Sequence, residues 1–280
     1  VGNRLPGVRT KETNLGDLCA DAYRAISGAD IALVNGGGIR KQIEAGDITL
    51  DDIYSVHPFG NTMCVIRVTG QQVLDALEWG ARAVPSENGG FLQVSGLTYE
   101  IHTGVASSAE KDENGMFTRV SGEYRVKNVM VGGQPLELDK TYTLASHNYM
   151  LLGHGDGYTM FDGCEVLGED MMVDNQVLIT YITTTLGGVV GAPSAHPYGA
   201  GRVVAGANSP PTPTAPAALW RWNNQHFRLV ISAFAGVISP FFVSGNCFPT
   251  VFCLTSAGKD GMITAIQQRR KSPQGYEEQQ

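Results

Sequence analysis

The sequence predicts an α/β unit of mixed helices and strands over residues 1–205. Two observations lead to this prediction. Apolar residues recur at helical spacing in residues 15–26 and 70–84, and short apolar runs typical of buried strands lie near them. From residue 91 to residue 146 the pattern changes to that of strands. The chain's 280 residues are enough to bury a sizeable core, as one large domain or two modest ones.

The first helix is predicted over residues 15–26. Asn14 can cap it, because a short polar side chain accepts hydrogen bonds from free N–H groups of the first turn, and Gly28 suits its end. The apolar run of residues 31–34 then predicts a short buried strand. One face of the helix carries Leu15, Leu18, Cys19, Ala22, Tyr23 and Ile26.

Two capping signals predict the next helices. Thr49 is expected to cap a short helix that ends at Val56, and a strand is expected over residues 63–68. The Thr-Gly-Gln-Gln stretch at residues 69–72 is a capping-box pattern and predicts a helix that continues to about Val84. The inward face of this helix carries Val73, Leu74 and Leu77.

The later elements are mainly strands. Residues 124–131 are predicted to form a strand, with Gly132 and Gly133 as the hairpin turn after it. Asp174 is expected to cap a helix through Leu186, closed by two glycines, and a last strand is expected over residues 202–205. The first strand positions of this region are Leu92, Val94, Leu97, Tyr99 and Ile101.

Charge and cysteine content narrow the class of function. The net charge of −7 and the isoelectric point near 5.3 argue against a nucleic-acid partner, which a basic surface would bind. The five cysteines include no Cys-x-x-Cys pair, which argues against zinc-ribbon and redox motifs and leaves the redox compartment open. The six histidines are scattered, and only His147 and His154 share a loop, so we expect no metal site in this chain.

The two ends of the chain indicate a larger protein. The sequence begins with Val1 and shows no apolar signal segment, so we expect a piece of a longer chain. Residues 206–218 are rich in Pro and Thr and predict a semi-stiff linker. In the tail, residues 219–280, the uncharged stretch 229–258 precedes a basic cluster and fits a membrane or wall anchor. Its prolines favour the alternatives, a tail of low order or sequence out of its reading frame.

Three consecutive glycines follow the first predicted strand, in the stretch Leu-Val-Asn-Gly-Gly-Gly-Ile-Arg at residues 33–40. Glycine tolerates positive φ and close backbone approach, so the triplet could be only a tight turn. Alternatively, its amides and Arg40 could meet an anion or a planar ligand, since ligands often bind at the carboxyl ends of strands in α/β sheets. The spacing of Rossmann and P-loop motifs is absent.

Four motifs occur in order along residues 1–205. They read VRTKETNLGDLCADA (8–22), LVNGGGIR (33–40) followed by GDITLDDIYSVHPFGNT (46–62), HNYMLLGHGDGYTMF (147–161) and HPYGAGRVV (196–204). Together they closely resemble the C-terminal substrate-binding domain of the 5′-nucleotidase family, which includes bacterial UDP-sugar hydrolases and 2′,3′-cyclic-nucleotide phosphodiesterases. The resemblance implies layered, mixed sheets with helices packed outside.

The resemblance implies that four polar side chains contact a nucleotide. Arg9 falls on an arginine that touches the ligand in the family, and Arg4 falls on a second arginine of some bacterial members. Asn35 and Arg40 occupy ligand-contacting positions. Arginine suits this role because its planar guanidinium binds phosphate or carboxyl oxygens and stays charged.

The resemblance also implies a clamp for the base and a carboxylate for the sugar. Phe59 and Tyr149 would form the two walls of the clamp, because two aromatic rings can sandwich a flat base with little discrimination. Asp156 would accept hydrogen bonds from the ribose hydroxyls. Gly37 and Gly38 would let the backbone approach the ligand. Taken singly, each of these residues could instead be a core aromatic or a turn residue.

The loop between Asn148 and Asp156 departs from the family pattern. It is one residue longer than expected, and His154 stands where glycine is usual. We therefore expect Tyr149 as the second stacking ring, with Met150 as the alternative if the register shifts.

The function that the resemblance implies is nucleotide recognition in a 5′-nucleotidase-type metallophosphohydrolase, which converts nucleoside phosphates to nucleoside and phosphate. Two divalent metal ions of zinc or manganese type and the catalytic histidine would belong to an N-terminal metallophosphatase domain, so this chain alone is expected to be inactive. A secreted, periplasmic or cell-surface location is expected. The alternatives are a stand-alone nucleotide- or nucleoside-binding module and a domain kept for surface display or adhesion. The preferred base and phosphate ester stay open.

Overall fold

The computed structural model describes residues 7–191 and 199–206 of the chain. Arg4, the first part of the motif at residues 196–204, the predicted linker from residue 207 onward and the predicted tail lie outside these residues. Within the described part of the chain, no helix combines the length and the apolar character needed to cross a membrane.

The secondary structure alternates short helices with short strands. The strands are β1 (Ile31–Asn35), β2 (Met63–Thr69), β3 (Leu92–Ser95), β4 (Leu97–His102), β5 (Ala109–Lys111), β6 (Phe117–Val120), β7 (Val126–Val131), β8 (Gln134–Pro135), β9 (Thr141–His147), β10 (Glu165–Gly168) and β11 (Val203–Gly206). The α-helices are α1 (Asn14–Ser27), α2 (Leu50–Val56), α3 (Gly70–Ala81), α4 (Asn148–Leu151) and α5 (Asp174–Thr180).

Both main sheets are mixed. The first has the strand order β10-β2-β9-β1-β3, in which β1 and β9 are parallel and the other neighbours are antiparallel. The second has the order β11-β4-β7-β8, in which only β11 and β4 are parallel. Strands β5 and β6 form a separate antiparallel ribbon. The predicted α/β fold with mixed sheets is confirmed.

Strand β1 shows how the layers are arranged, because it is buried along its whole length. Ile31 and Leu33 belong to a core cluster shared with helix α3 and the second sheet. Ala32 and Val34 belong to a second cluster shared with helices α1, α2 and α5. A strand covered on both faces needs apolar residues at every position, which explains the uninterrupted run at residues 31–34.

The last described segment returns to the beginning of the chain. Arg202 donates to both carboxylate oxygens of Asp21 on α1 at 2.8 Å, and the Val203 backbone N–H donates to Glu12 at 2.9 Å. Glu12 is buried, and its carboxylate accepts a backbone hydrogen bond from the start of β11, a strand that is distant in sequence. The described part of the fourth motif therefore docks β11 against the first helix.

The local signals in the sequence located three features correctly. Thr49 and Asp52 form a capping box at the start of α2, and Thr69 and Gln72 form one at the start of α3. Gly132 and Gly133 have φ of 57° and 78° and join β7 to β8 as a two-residue hairpin turn.

Two predicted caps were wrong. Thr13, not Asn14, caps α1: its backbone is extended and its hydroxyl accepts the Gly16 N–H at 3.0 Å, whereas Asn14 is already helical. Asp174 is the first residue of α5 and Val173 precedes it as the cap without a side-chain hydrogen bond. An N-cap residue has an extended backbone. The sequence alone does not show which of two adjacent polar residues, Thr13 or Asn14, adopts this conformation.

Several boundaries differ from the prediction. Helix α3 ends at Ala81 rather than near Val84, and β7 begins at Val126 rather than at residue 124. Helix α5 ends at Thr180 and continues as a π-helical turn, Tyr181–Thr185. Strands β5, β6, β8 and β10 were not predicted individually, because they are two to four residues long and mostly exposed, so that no period-two pattern marks them.

Candidate functional site

The Gly36–Gly38 turn lies at the carboxyl end of β1, and the protein's own packing requires its glycines. A Cβ on the first glycine would collide with the Val8 carbonyl oxygen, and one on Gly37 would lie 3.1 Å from the backbone of Gly89. The three glycines do not have the positive φ that favours this residue, so close backbone approach explains the triplet. The turn holds the segments of Val8 and Gly89 beside the end of β1.

A chain of hydrogen bonds starts at Asn35, the last residue of β1. Asn35 Nδ2 donates to Asp156 Oδ2 at 2.6 Å, and Asn35 Oδ1 lies 3.0 Å from His147 Nε2. The Tyr149 hydroxyl lies 3.4 Å from Asp156 Oδ1 and accepts the Asp156 backbone N–H at 3.3 Å. Asn35 and His147 are buried and Tyr149 is exposed, so the chain runs from the core to the surface. It brings together three residues that the sequence singled out: Asn35, Tyr149 and Asp156.

The backbone of Asp156 is held in an unusual conformation. Its φ of 54° and ψ of 16° lie in the left-handed region, which residues other than glycine seldom adopt. Trp79 is buried, and its Nε1 donates to the Asp156 carbonyl oxygen at 2.9 Å, which restrains this conformation from the core side. His154, also at φ 54°, is hydrogen-bonded through Nε2 to the Asp162 carboxylate. Backbone strain of this kind persists where surrounding contacts hold it, and it clusters at ligand sites.

Arg40 links the glycine turn to Phe59. Arg40 Nη1 donates to the Gly37 carbonyl oxygen at 3.2 Å, and its guanidinium carbon lies 5.6 Å from the centroid of the Phe59 ring. This distance is within the range of a cation–π contact. Phe59 is 60% exposed and Tyr149 is 44% exposed, whereas Met150 is fully buried. Tyr149 rather than Met150 therefore presents a side chain at the surface.

Gln93 on β3 holds the turn that carries Arg9. The Gln93 Nε2 group donates to the carbonyl oxygens of Val8 at 3.0 Å and Lys11 at 2.8 Å, and its Oε1 accepts the Thr13 N–H at 3.0 Å. Arg9 itself is half-buried, and its Cα lies beside the Gly36–Gly38 turn. Sequence analysis missed Gln93, although a polar residue inside an apolar strand was a signal for it.

The end of helix α3 contributes two more residues that sequence analysis missed. The Arg82 guanidinium carbon lies 3.6 Å from the centroid of the Trp79 ring, and burial lowers the pKa of Arg82. A Cβ on Gly90 would lie 3.5 Å from Arg82 Nη1 and 3.2 Å from the Asp156 Cβ, so the guanidinium lies close to Asp156. Its charge offsets part of the negative charge of that carboxylate.

The histidines of the third motif do not meet at a metal. His147 is buried against Asn35, and His154 lies at the surface with Asp162. Among the residues that the structure describes, no three His, Cys, Asp or Glu side chains are grouped so that they could hold a metal ion.

Two surface cavities lie away from these residues. Their volumes are about 470 Å³ and about 240 Å³, and both are lined by Gly28 and Ala29, which precede β1. The Gly36–Gly38 turn and the candidate residues around it lie at the opposite end of β1.

Comparison with known proteins follows the same part of the chain. The sequence model of one family, described as 5′-nucleotidase, C-terminal domain, matches residues 2–163. The Trifunctional nucleotide phosphoesterase protein YfkN of Bacillus subtilis is 40% identical over 168 residues, which cover 59% of this chain and 11% of that protein. The 5′-nucleotidase of Vibrio cholerae is 34% identical over 175 residues, which cover 62% of this chain and 28% of that protein.

A solved structure shows the same fold. The crystal structure of a 5′-nucleotidase precursor from Thermus thermophilus superposes with a TM-score of 0.61 at 32% identity, covering 74% of this chain and 38% of that one. The matched region of this chain thus spans 11% and 28% of the length of the two curated relatives.

Proposed function

Because the chain belongs to the family of the 5′-nucleotidase C-terminal domain, we propose that it recognises the nucleoside part of a nucleoside phosphate. The whole protein would be a 5′-nucleotidase-type phosphohydrolase that releases nucleoside and phosphate. The single observation that carries the proposal is the connected group around the Gly36–Gly38 turn. Two exposed aromatic rings and one fixed carboxylate belong to this group.

The two rings would clamp the base. Phe59 and Tyr149 are large apolar side chains that the fold leaves exposed at the surface, although burial is the usual fate of such residues. Each ring is tied to the glycine turn through a polar neighbour, Phe59 through Arg40 and Tyr149 through the Asp156–Asn35 pair. Stacking on each side of a flat base needs no specific edge contacts, so the clamp leaves the preferred base open.

The Asp156 carboxylate would bind the ribose. Its Oδ2 accepts a short hydrogen bond from Asn35, whereas its Oδ1 accepts only a long one from Tyr149, at 3.4 Å. An ionised carboxylate offers about four acceptor positions, so Asp156 retains capacity for the hydroxyls of a vicinal diol.

The arginines would face the anionic part of the ligand. Arg40 donates to the Gly37 carbonyl oxygen, and the Arg9 Cα lies beside Gly36. An anionic ligand that both guanidinium groups reached would stabilise their charges. Arg4 would add a third cation. Gly37 and Gly38 would let the backbone approach the ligand. A side chain on either glycine would first meet other atoms of this chain.

The catalytic step would take place on a second domain. We propose that an N-terminal metallophosphatase domain would hold two divalent metal ions of zinc or manganese type, which would supply Lewis-acid chemistry for phosphate-ester hydrolysis. The described residues would present the ester to those metals. We also propose an extracytoplasmic location. The description of the Thermus relative as a precursor is in line with an exported protein.

The clamp can be tested by calorimetry of adenosine binding to the 280-residue chain. Phe59→Ala and Tyr149→Ala should each weaken binding by about 1–3 kcal/mol, because each removes one stacking surface. Leu138→Ala is the matched control: Leu138 is 43% exposed, close to the 44% of Tyr149, and belongs to the turn after β8. Unchanged affinity in both aromatic variants, or an equal loss in the control, would contradict the proposal.

A further inference from the structure

The hydrogen-bond partner of Asn35 in the core is His147, the last residue of β9. Strands β1 and β9 are parallel neighbours with Ile31 opposite Leu144, and this register brings the end of β9 beside the end of β1. His147 Nε2 lies 3.0 Å from Asn35 Oδ1, and both side chains are at most 3% exposed. The pair is therefore part of the core, while Asn35 also reaches the candidate site.

The side-chain amide of Asn35 has two orientations, and they have opposite effects on Asp156. In the observed one the NH₂ group donates to Asp156 Oδ2 at 2.6 Å. In the flipped one the amide oxygen would face the carboxylate, and two acceptors would meet without a proton between them. The flipped orientation would also turn the NH₂ group towards His147. The Asp156 carboxylate and an imidazole protonated on Nε2 therefore both favour the observed orientation.

We propose that His147 is a positioning residue that donates its Nε2–H to Asn35 and so directs the Asn35 NH₂ group at Asp156. With one carboxylate oxygen held in this way, the other is oriented towards the ligand. This inference rests on the proposed function, because it assigns Asp156 to the ribose.

The surroundings of His147 support a neutral donor. Burial, with a smaller contribution from the nearby His57, lowers the pKa of His147 to about 3, so the ring carries a single proton at neutral pH. With Nε2 as the donor, Nδ1 is unprotonated, and it has no hydrogen-bond partner among the described residues. A proton on Nδ1 instead would leave the unprotonated Nε2 facing the Asn35 amide oxygen, so that two acceptors would meet without a proton between them.

The pair is also enclosed sterically. A Cβ on Gly38 would lie 2.7 Å from Asn35 Oδ1 and 3.8 Å from His147 Nε2, so the glycine backbone closes over the two side chains. The rings of Tyr23 and Tyr149 lie 6.3 Å and 5.9 Å from the imidazole, centroid to centroid. The packing around His147 thus restrains its side chain, and the hydrogen bond between the two residues in turn restrains Asn35.

The test compares two His147 variants with two ligands. His147→Gln supplies an amide N–H that can still donate to Asn35, whereas His147→Leu supplies none. Calorimetry on the 280-residue chain would measure the binding of adenosine and of 2′,3′-dideoxyadenosine, which lacks both hydroxyls of the vicinal diol. We expect His147→Leu to weaken adenosine binding about tenfold, the size of one hydrogen bond to a charged group, and to leave dideoxyadenosine within about twofold. His147→Gln should recover most of the loss.

A double-mutant cycle separates this inference from the proposed function. In an Asp156→Ala background, His147→Leu should have no further effect on adenosine, because its target is gone. If Asp156→Ala leaves adenosine affinity unchanged, or the wild-type chain does not bind adenosine, the proposed function fails. If Asp156→Ala weakens binding but His147→Leu does not, or weakens both ligands equally, only the positioning role is overturned.

A measurement on the wild-type chain avoids dependence on the folding of variants. Long-range ¹H–¹⁵N NMR of ¹⁵N-histidine-labelled chain reports which ring nitrogen carries the proton. The Nε2–H tautomer is expected for His147 at neutral pH. The Nδ1–H tautomer, or a positively charged ring, would overturn the proposal.

Discussion

Two buried histidines lie next to the candidate site, and they make the protein's free energy of unfolding depend on pH. His57 is the C-cap residue of helix α2, its side chain interacts with the backbone of Gly38, and His147 contacts Asn35. Burial lowers the pKa of His57 to about 4 and that of His147 to about 3, both below the ordinary value of 6.5. Between pH 6.5 and the lowered pKa values, the unfolded chain binds protons that the folded chain does not. The free energy of unfolding therefore falls as the pH falls through this range.

We predict that His57→Gln reduces this dependence on pH. Between pH 7 and pH 4.5 the free energy of unfolding of the variant should fall by about 2 kcal/mol less than that of the wild type, because one of the two linked protons is removed. Urea unfolding at the two pH values measures the difference. Asp17 and Asp174, whose pKa burial raises to about 7 and about 6, act in the opposite direction but are common to both proteins. An equal fall in both proteins would contradict the assignment.

At the scale of single residues, the sequence indicated candidate site residues but not the buried residues that support them. Asn35, Tyr149 and Asp156 follow from motifs, and the structure brings them into contact. His147 and Gln93 act from the core, and burial is a property of the whole fold rather than of neighbouring residues. The glycine triplet was located correctly, but its neighbours are segments of this chain, and no sequence spacing reports which segments approach one another.

Helix α1 offers a direct test at the scale of elements. Thr13→Val keeps the shape of the side chain and removes the hydroxyl that accepts the Gly16 N–H, so it should destabilise the protein by about 1 kcal/mol. Asn14→Ala is the matched control. Asn14 Oδ1 is buried without a partner among the described residues, so its loss should change stability by less than about 0.5 kcal/mol. Chemical unfolding compares the two, and the reverse order would restore Asn14 as the cap.

The elements that the sequence predicted are those with a local cause. A capping box is complete within four residues, as at Thr69 and Gln72, and a glycine pair is sufficient for a hairpin turn. Strand β10 has no such cause. It is exposed, it pairs with β2 through an irregular register, and only its position at the sheet edge makes it a strand.

For the whole molecule, we predict that the 280-residue chain supplied with Mn²⁺ or Zn²⁺ releases no phosphate from AMP above a buffer control. Two-metal hydrolysis requires a cluster of ligating side chains, and the described residues contain no such group. A colorimetric phosphate assay measures this, with a full-length 5′-nucleotidase as the positive control. Release that a chelator abolishes would contradict the prediction.

The arrangement of the first sheet has a consequence for synthesis. Strand β9 lies at its centre, between β2 and β1, yet it leaves the ribosome long after both. Until Thr141–His147 emerges, the nascent chain holds two flanking strands with unpaired edges and no strand to join them. Pairings between residues so distant in sequence form slowly, because a long loop must close first. The nascent domain is therefore exposed to wrong strand pairing while residues 70–140 are translated, and a chaperone that shields β1 and β2 would raise its folding yield.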